Sequence, residues 1–155
     1  MYLVDSGRYE KYIPPMFEKR IIGIDYGRKR VGIAYSDPLR ITAQPLTTLN
    51  LKSPDEAANR VCDALANQDV ELIVVGLPVS LSGGTGGQMA DEVRRFVAAL
   101  EQRGYKIHLE DEAFTSAQAK DTLRKSGKKE KQMRGKLDVV AAQIILQDYL
   151  DSHRQ

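Results

Sequence analysis

One segment near the middle of the chain restricts the possible folds more than any other. Residues 71–76 read Glu-Leu-Ile-Val-Val-Gly, an almost unbroken apolar run. A strand of this kind is buried on both faces, so its sheet needs a covering layer on each side. With 155 residues, the chain has the length of a single domain, and it has no room for the two large lobes of many ATP-using folds.

The patterns around this segment alternate between the two-residue period of strands and the 3.6-residue period of helices. We predict strands at residues 20–25, 31–35, 41–49, 71–76 and 105–112, and helices at residues 53–67, 89–100, 115–123 and 137–150. This order predicts an α/β fold, with a mixed five-stranded sheet and helices on both faces. Residues 1–19 are polar, so we expect a flexible N-terminal tail and a single folded domain over residues 20–151.

Charge and cysteine content exclude several classes of protein. The 23 Lys and Arg residues nearly balance the 21 Asp and Glu residues, for a net charge of +2. Any nucleic-acid surface must therefore be a local patch. Cys62 is the single cysteine, which excludes an internal disulfide and a cysteine-rich zinc site. No apolar run approaches the ~18 residues needed to cross a bilayer, so we expect a cytoplasmic protein with no membrane partner.

Acidic side chains occur at three places where predicted elements begin or end. Asp25 follows an apolar strand directly, on the face opposite Ile22 and Ile24. It is either a site residue or a cap of the next turn. Asp138 stands at the predicted start of the last helix, where a carboxylate also serves as an ordinary cap. Residues 110–112, Glu-Asp-Glu, end the last strand, and a solvated strand end explains them equally well.

Three carboxylate positions on separate elements suit a hard divalent cation. Mg²⁺ and Mn²⁺ prefer oxygen ligands of this kind. Two such ions, about 3.5–4 Å apart, can activate a water and stabilise a leaving oxygen. The acidic positions therefore indicate metal-dependent hydrolysis of a phosphodiester bond.

A cluster of basic residues offers a surface for the substrate of such a reaction. Residues 120–136 contain eight Lys and Arg residues against two acidic ones, and the turn after Asp25 adds three more. These residues form either a clamp for a phosphate backbone or a solvated, lysine-rich loop. The candidate nucleic-acid-binding residues are Arg28, Lys29, Arg30, Lys125, Lys128, Lys129, Lys131, Arg134 and Lys136.

Four motifs resemble those of the YqgF/RuvX family, in the same order along the chain. The first is Gly-Ile-Asp-Tyr-Gly-Arg-Lys-Arg-Val-Gly-Ile-Ala at residues 23–34, followed by Ser-Asp-Pro. The second is Ile-Val-Val-Gly-Leu-Pro at residues 73–78. The third is Asp111-Glu112 with Thr115, and the fourth is Gly-Lys-Leu-Asp at residues 135–138. The resemblance extends over about residues 20–150.

This resemblance implies a ribonuclease-H-like fold with strand order 3-2-1-4-5, and a cytoplasmic nuclease. The implied function is maturation of the 5′ end of pre-16S rRNA in ribosome biogenesis, with resolution of Holliday junctions in DNA recombination and repair as the alternative. Asp25, Glu112 and Asp138 would be the catalytic residues and the ligands of Mg²⁺ or Mn²⁺. Asp111 is an alternative to Glu112 as the second ligand.

Two features keep a different function open. Ala113 stands where the family usually has arginine, and the strand at residues 71–76 ends without an acidic residue. In the 3-2-1-4-5 order, Glu112 would lie two strand spacings, roughly 9–10 Å, from Asp25. A non-catalytic RNA-binding module of the same fold, acting on the ribosome or the transcription machinery, is therefore a further hypothesis. We expect a monomer or a homodimer.

Overall fold

A computed structural model describes residues 2–5, 8–11, 16–77, 87–111 and 130–154, with side chains for residues 16–77, 88–110 and 136–154. The strands are β1 (Tyr2–Asp5), β2 (Arg8–Lys11), β3 (Arg20–Asp25), β4 (Arg30–Ser36), β5 (Ala43–Asn50), β6 (Val70–Leu77) and β7 (Ile107–Asp111). The α-helices are α1 (Ala57–Ala64), α2 (Gly87–Gln102) and α3 (Glu130–Ser152), and a 3-10 turn at Pro54–Glu56 precedes α1. None of the described helices combines the length and the apolar character that crossing a membrane requires.

Five of the strands form one mixed sheet in the order β5-β4-β3-β6-β7. Strands β3, β4 and β5 are a continuous antiparallel meander, whereas β6 and β7 run parallel to β3. This is the 3-2-1-4-5 order of a ribonuclease-H-like fold, and it confirms the predicted fold class. Pro45 lies in the edge strand β5, opposite Ala34 and next to a shift of register, where proline interrupts no inner ladder.

Helices cover both faces of the sheet, as predicted. Helices α1 and α2 pack on one face, in a core that includes Ile22, Ile24, Val61, Ile73, Val75, Val93 and Leu100. Helix α3 packs on the other face, in a core formed by Ile21, Ala34, Val74, Ala142, Ile145, Leu146 and Leu150. Because successive side chains of a strand point to opposite faces, strand β3 contributes to both cores.

Two glycines allow α3 to lie very close to the sheet. A Cβ atom added to Gly23 would be 2.6 Å from the Cβ of Leu146 and 2.7 Å from the carbonyl oxygen of Ala142. A Cβ atom added to Gly32 would overlap the carbonyl oxygen of Asp138. A glycine inside a strand often marks such a close approach of another backbone. These two positions therefore determine where α3 crosses β3 and β4.

The last helix begins earlier than the sequence pattern predicted. Helix α3 starts at Glu130 rather than at residue 137, so residues 130–136 of the basic stretch are helical and not a loop. Asp138 lies in the interior of the helix, and its interpretation as a cap at the helix start is wrong. Gly135 lies within the helix, but one glycine costs a helix only about 1 kcal/mol. Packing of the following apolar stripe on the sheet outweighs this cost.

The N-terminal strands form a separate two-stranded sheet. Strands β1 and β2 are antiparallel, with Tyr2 opposite Lys11 and Asp5 opposite Arg8. The flexible tail at residues 1–19 and the single domain at residues 20–151 stay predictions. The short helix predicted at residues 115–123 lies outside the described residues.

Candidate active site

The carboxyl end of β3 places Asp25 on the face of the sheet that α3 covers. Asp25 is directly opposite Gly32 in the antiparallel pair of β3 and β4, and directly opposed residues project to the same face. The missing side chain of Gly32 faces Asp138 on α3, so Asp25 projects towards α3. Ile22 and Ile24 belong to the core on the other face, which confirms the predicted orientation of Asp25.

Gly32 is the structural link between two of the predicted catalytic residues. It opposes Asp25 in the sheet and leaves room for the main chain of Asp138. The Cβ positions of directly opposed residues lie about 5 Å apart, so Asp25 and Asp138 are neighbours at this end of the sheet. Asp25 is half-buried, and the side chain of Asp138 is 19% exposed. The fold thus brings together two acidic residues from distant parts of the chain.

Arg30 binds the carboxylate of Asp138 directly. Its Nε donates to Oδ2 of Asp138 at 2.8 Å, and the Arg30 side chain is 28% exposed. Arg30 is the first residue of β4, two residues before Gly32 and therefore on the same face of the sheet. Its charge led to the prediction of a nucleic-acid contact, but nothing in the sequence indicated a bond to a candidate metal ligand. That contact depends on where α3 crosses the sheet.

Arg28, in the turn between β3 and β4, is paired with a different carboxylate. Its Nε donates to Oε2 of Glu92 at 2.9 Å and its Nη2 to Oε1 at 2.5 Å. This bidentate hydrogen bond lowers the pKa of Glu92 and raises the pKa of Arg28. Glu92 lies on α2, on the far side of the sheet. Of the three basic residues in this turn, Lys29 is exposed, and the two arginines hold ion pairs.

Tyr26 anchors the same turn in the core below α1 and α2. Tyr26 is 7% exposed, and its ring lies 4.9 Å from the ring of Phe96, centroid to centroid. Burial, followed by the charge of Glu92, raises the pKa of Tyr26. A cavity of about 310 Å³ adjoins both rings and the side chains of Asp55 and Arg95. The chain therefore passes from the carboxylate site at Asp25 into the opposite core within one residue.

A row of register-matched residues crosses the sheet at the level of Asp25. Ile24 pairs with Val75 of β6, so the next residue, Gly76, lies beside Asp25. Gly76 in turn pairs with Glu110 of β7. Glu110 is thus two strand spacings, roughly 10 Å, from Asp25 on the same face. Its Oε1 is 3.1 Å from Nε2 of His108, and Gly76 contributes no side chain to the space between the two acids.

The remaining predicted site residues are only partly described. Asp111 is the last residue of β7 and pairs with Leu77, whereas Glu112 lies outside the described residues. Lys136 is exposed on α3, two residues before Asp138. The basic residues at positions 125, 128 and 129 lie outside the described residues, and those at positions 131 and 134 are described only as part of the α3 backbone.

The described carboxylates fit part of a metal site. Asp25 and Asp138 supply the hard oxygen donors that Mg²⁺ and Mn²⁺ prefer. Within the described ranges, no group of three or more His, Cys, Asp or Glu side chains could hold a metal ion. A complete site therefore needs a ligand in addition to this pair, and Glu112 is the predicted candidate.

Two solved structures share the fold of this chain. The chain resembles T. thermophilus RuvC in complex with Holliday junction substrate, with a TM-score of 0.57 and 16% identity over 86% of this chain and 94% of that one. It also resembles Fowlpox virus resolvase in complex with Holliday junction DNA, with a TM-score of 0.58 and 12% identity over 88% and 99% of the two chains. The fold is therefore the ribonuclease-H-like fold of these resolvases.

Sequence comparisons identify the family within this class. A family model described as "RuvX: Holliday junction resolvase" matches residues 19–152. A protein of Chlorobaculum tepidum named "Putative pre-16S rRNA nuclease" is 45% identical over 139 residues, which are 87% of this chain and 95% of that protein. A protein of the same name from Chloroflexus aggregans is 40% identical over 140 residues, or 90% and 98% of the two chains. The chain belongs to the RuvX family, as its four motifs indicated.

Proposed function

We propose that this protein is a cytoplasmic endonuclease that uses Mg²⁺ or Mn²⁺ to mature the 5′ end of pre-16S rRNA during ribosome biogenesis. The observation that carries the proposal is the juxtaposition of Asp25 and Asp138 through Gly32 at the carboxyl end of β3. The rRNA substrate is supported by the names of the two relatives, with which the chain shares 45% and 40% identity.

Each part of the site has a task in this reaction. Asp25, Asp138 and Glu112 would hold the metal, which when bound would activate a water and stabilise the leaving oxygen. Partial burial of Asp25 and Asp138 strengthens their attraction for a cation relative to bulk water. Lys29, four residues after Asp25, and Lys136, two residues before Asp138, are exposed and would contact phosphates, together with the basic residues at positions 125–134. The ribosome or the transcription machinery would be the partner that presents the RNA.

A four-way DNA junction is the second candidate substrate. The description of the family model and the DNA-bound structures of the same fold favour it. Resolution of a junction cuts two symmetric strands and would require a homodimer. Trimming of one RNA end could be performed by a monomer. The oligomeric state of the protein when bound to each substrate therefore distinguishes the two candidate functions.

The test compares the wild type with Asp25→Asn on a pre-16S rRNA fragment that carries its 5′ extension and on a synthetic four-way DNA junction. We expect Mn²⁺-dependent cleavage of the RNA by the wild type, no cleavage with chelator, and a loss of about a hundredfold or more in Asp25→Asn, because the substitution removes a charged ligand. Asp37→Asn is the matched control. The Asp37 carboxylate accepts backbone N–H bonds from Leu39, Ile41 and Thr42, beyond the other end of β4.

Three other results would change the conclusion. Cleavage of the junction but not of the RNA would establish the alternative substrate. Equal loss of activity in Asp25→Asn and Asp37→Asn would indicate an effect on folding rather than on chemistry. Binding of RNA without cleavage by any of the proteins would overturn the proposal in favour of a non-catalytic RNA-binding module.

A further inference from the structure

We infer that Arg30 is a positioning residue of the carboxylate site, which fixes the orientation of Asp138 and competes by its charge with the metal ion. The inference rests on the proposed function, because it concerns the same carboxylates. It assigns to Arg30 a task other than the nucleic-acid contact that its charge suggested.

The first observation is the geometry of the ion pair. Nε of Arg30 lies 2.8 Å from Oδ2 of Asp138, and both side chains are mostly buried, at 28% and 19% exposure. Arg30 is the first residue of β4, and Asp138 lies in the interior of α3. The main chains of both residues are therefore fixed by secondary structure. A planar guanidinium restricts the orientation of a carboxylate more than a lysine ammonium does. Arg30 thus limits the rotation of Asp138.

The second observation is that Arg28 and Arg30 have different partners. Arg28 binds Glu92 of α2, whereas Arg30 binds Asp138 of α3. The two residues carry the same charge and are two positions apart, and their ion pairs are with different carboxylates, of which Asp138 is a candidate metal ligand. Arg28 therefore provides a matched control for the general effect of removing one positive charge from the turn.

A cation bound by Asp25 and Asp138 would share the Asp138 carboxylate with Arg30. The positive guanidinium repels a divalent ion, which lowers its affinity. The same hydrogen bond holds the carboxylate in one orientation, which favours a productive arrangement of ligands. Arg30 therefore lowers the affinity for the metal and raises the rate of the reaction. If Arg30 only tied α3 to the sheet, its substitution would change the stability of the fold. It would not change the affinity for the metal and the rate of the reaction in opposite directions.

The experiment measures Mn²⁺ binding to the full chain by titration calorimetry and by the electron paramagnetic resonance signal of free Mn²⁺. We expect Arg30→Gln to lower the Kd for Mn²⁺ by about three- to tenfold, because one repelling charge is removed close to the ion. Arg28→Gln should change this Kd by less than about twofold, because exposed charges are screened by solvent. On the RNA substrate, Arg30→Gln should lower kcat by about tenfold and change KM less.

Arg30→Lys separates charge from orientation and guards against misfolding of the first variant. It keeps the positive charge, so its Kd for Mn²⁺ should stay within about twofold of the wild type, but its kcat should fall by about fivefold. Circular dichroism verifies that each variant is folded. A wild-type kcat in Arg30→Lys would overturn the positioning task. A Kd in Arg30→Gln equal to that in the wild type, or shifted as much as in Arg28→Gln, would overturn the competition with the metal.

The failure of this inference differs from the failure of the proposed function. If Asp25→Asn binds Mn²⁺ as tightly as the wild type, the carboxylate pair is not the metal site, and both proposals are wrong. If Asp25→Asn loses Mn²⁺ binding while the Arg30 variants behave as the wild type does, only the inference about Arg30 is wrong.

Discussion

Gly32 determines how closely two acidic residues from distant parts of the chain approach each other. It pairs with Asp25 across the sheet, and its missing side chain accommodates the main chain of Asp138. A Cβ atom here would also lie 2.8 Å from the nitrogen of Val139. Because these contacts are with helix backbone, no change of side-chain rotamer can relieve them, and α3 itself would have to move.

Gly32→Ala is therefore expected to lower the free energy of unfolding by about 1–3 kcal/mol, the usual cost of overpacking, and to weaken Mn²⁺ binding by separating Asp138 from Asp25. Urea unfolding followed by circular dichroism measures the first effect and calorimetry the second. Gly104→Ala is the control. Its φ of +94° disfavours alanine, but nothing lies within 4 Å of the added Cβ. It should cost about 1–2 kcal/mol and leave the Kd for Mn²⁺ unchanged. Unaltered Mn²⁺ binding in Gly32→Ala would contradict the link through Gly32.

At the scale of secondary-structure elements, α3 connects the core to the site. Its apolar residues form the core on one face of the sheet, and its earlier turns carry Asp138. Helices α1 and α2 form a separate core on the other face. The two cores thus stabilise the same sheet, and the α3 core holds the helix that carries Asp138.

Leu146→Ala and Leu100→Ala distinguish the two cores. Both leucines are 0% exposed, so each substitution should lower the free energy of unfolding by about 3–5 kcal/mol. Leu146 contacts the sheet at Gly23, two residues before Asp25, and we expect its loss to weaken Mn²⁺ binding as well. Leu100 belongs to the α2 core, and its loss should leave that affinity unchanged as long as the protein is folded. Equal effects of the two substitutions on the Kd for Mn²⁺ would contradict this division.

At the scale of the whole molecule, positive charge is concentrated in one stretch of the sequence, while the net charge of the chain is small. The net charge is only +2, while residues 120–136 contain eight basic and two acidic residues. Two other basic residues, Arg28 and Arg30, are paired with carboxylates. Binding of nucleic acid should therefore depend on the lysine-rich stretch more than on the protein as a whole.

The double substitution Lys128→Gln with Lys129→Gln should reduce the slope of log Kobs against log salt concentration by about two, because each lost phosphate contact reduces it by about one. Filter binding of the RNA fragment at several salt concentrations measures this slope. The control is Lys19→Gln with Lys106→Gln, an equal change of charge at two exposed positions. These lysines directly precede the first residues of β3 and β7, at the opposite end of the strands from Asp25. A similar decrease in both double variants would mean that total charge, rather than the lysine-rich stretch, governs binding.

Local patterns were sufficient for most of the fold. The alternation in β3 correctly placed Asp25 on the face away from Ile22 and Ile24, because the strand period depends only on backbone geometry. The start of α3 was predicted too late, because residues 130–136 were interpreted as part of a lysine-rich loop and not as the first turns of the helix that packs on the sheet. The structural importance of Gly32 was not predicted, although a glycine within an apolar strand is a signal of close backbone approach.

The sequence by itself determined the order of the five strands of the main sheet, the three described helices that follow the meander, and the place of Asp25 at the end of β3. Each of these follows from periodicity, which is a property of neighbouring residues. Only the tertiary structure decided that Arg30 binds Asp138, that Arg28 binds Glu92, and that Asp138 lies beside Asp25. Those contacts depend on where α3 crosses the sheet, and that crossing is set by the space left at Gly23 and Gly32 together with the packing of the whole apolar face.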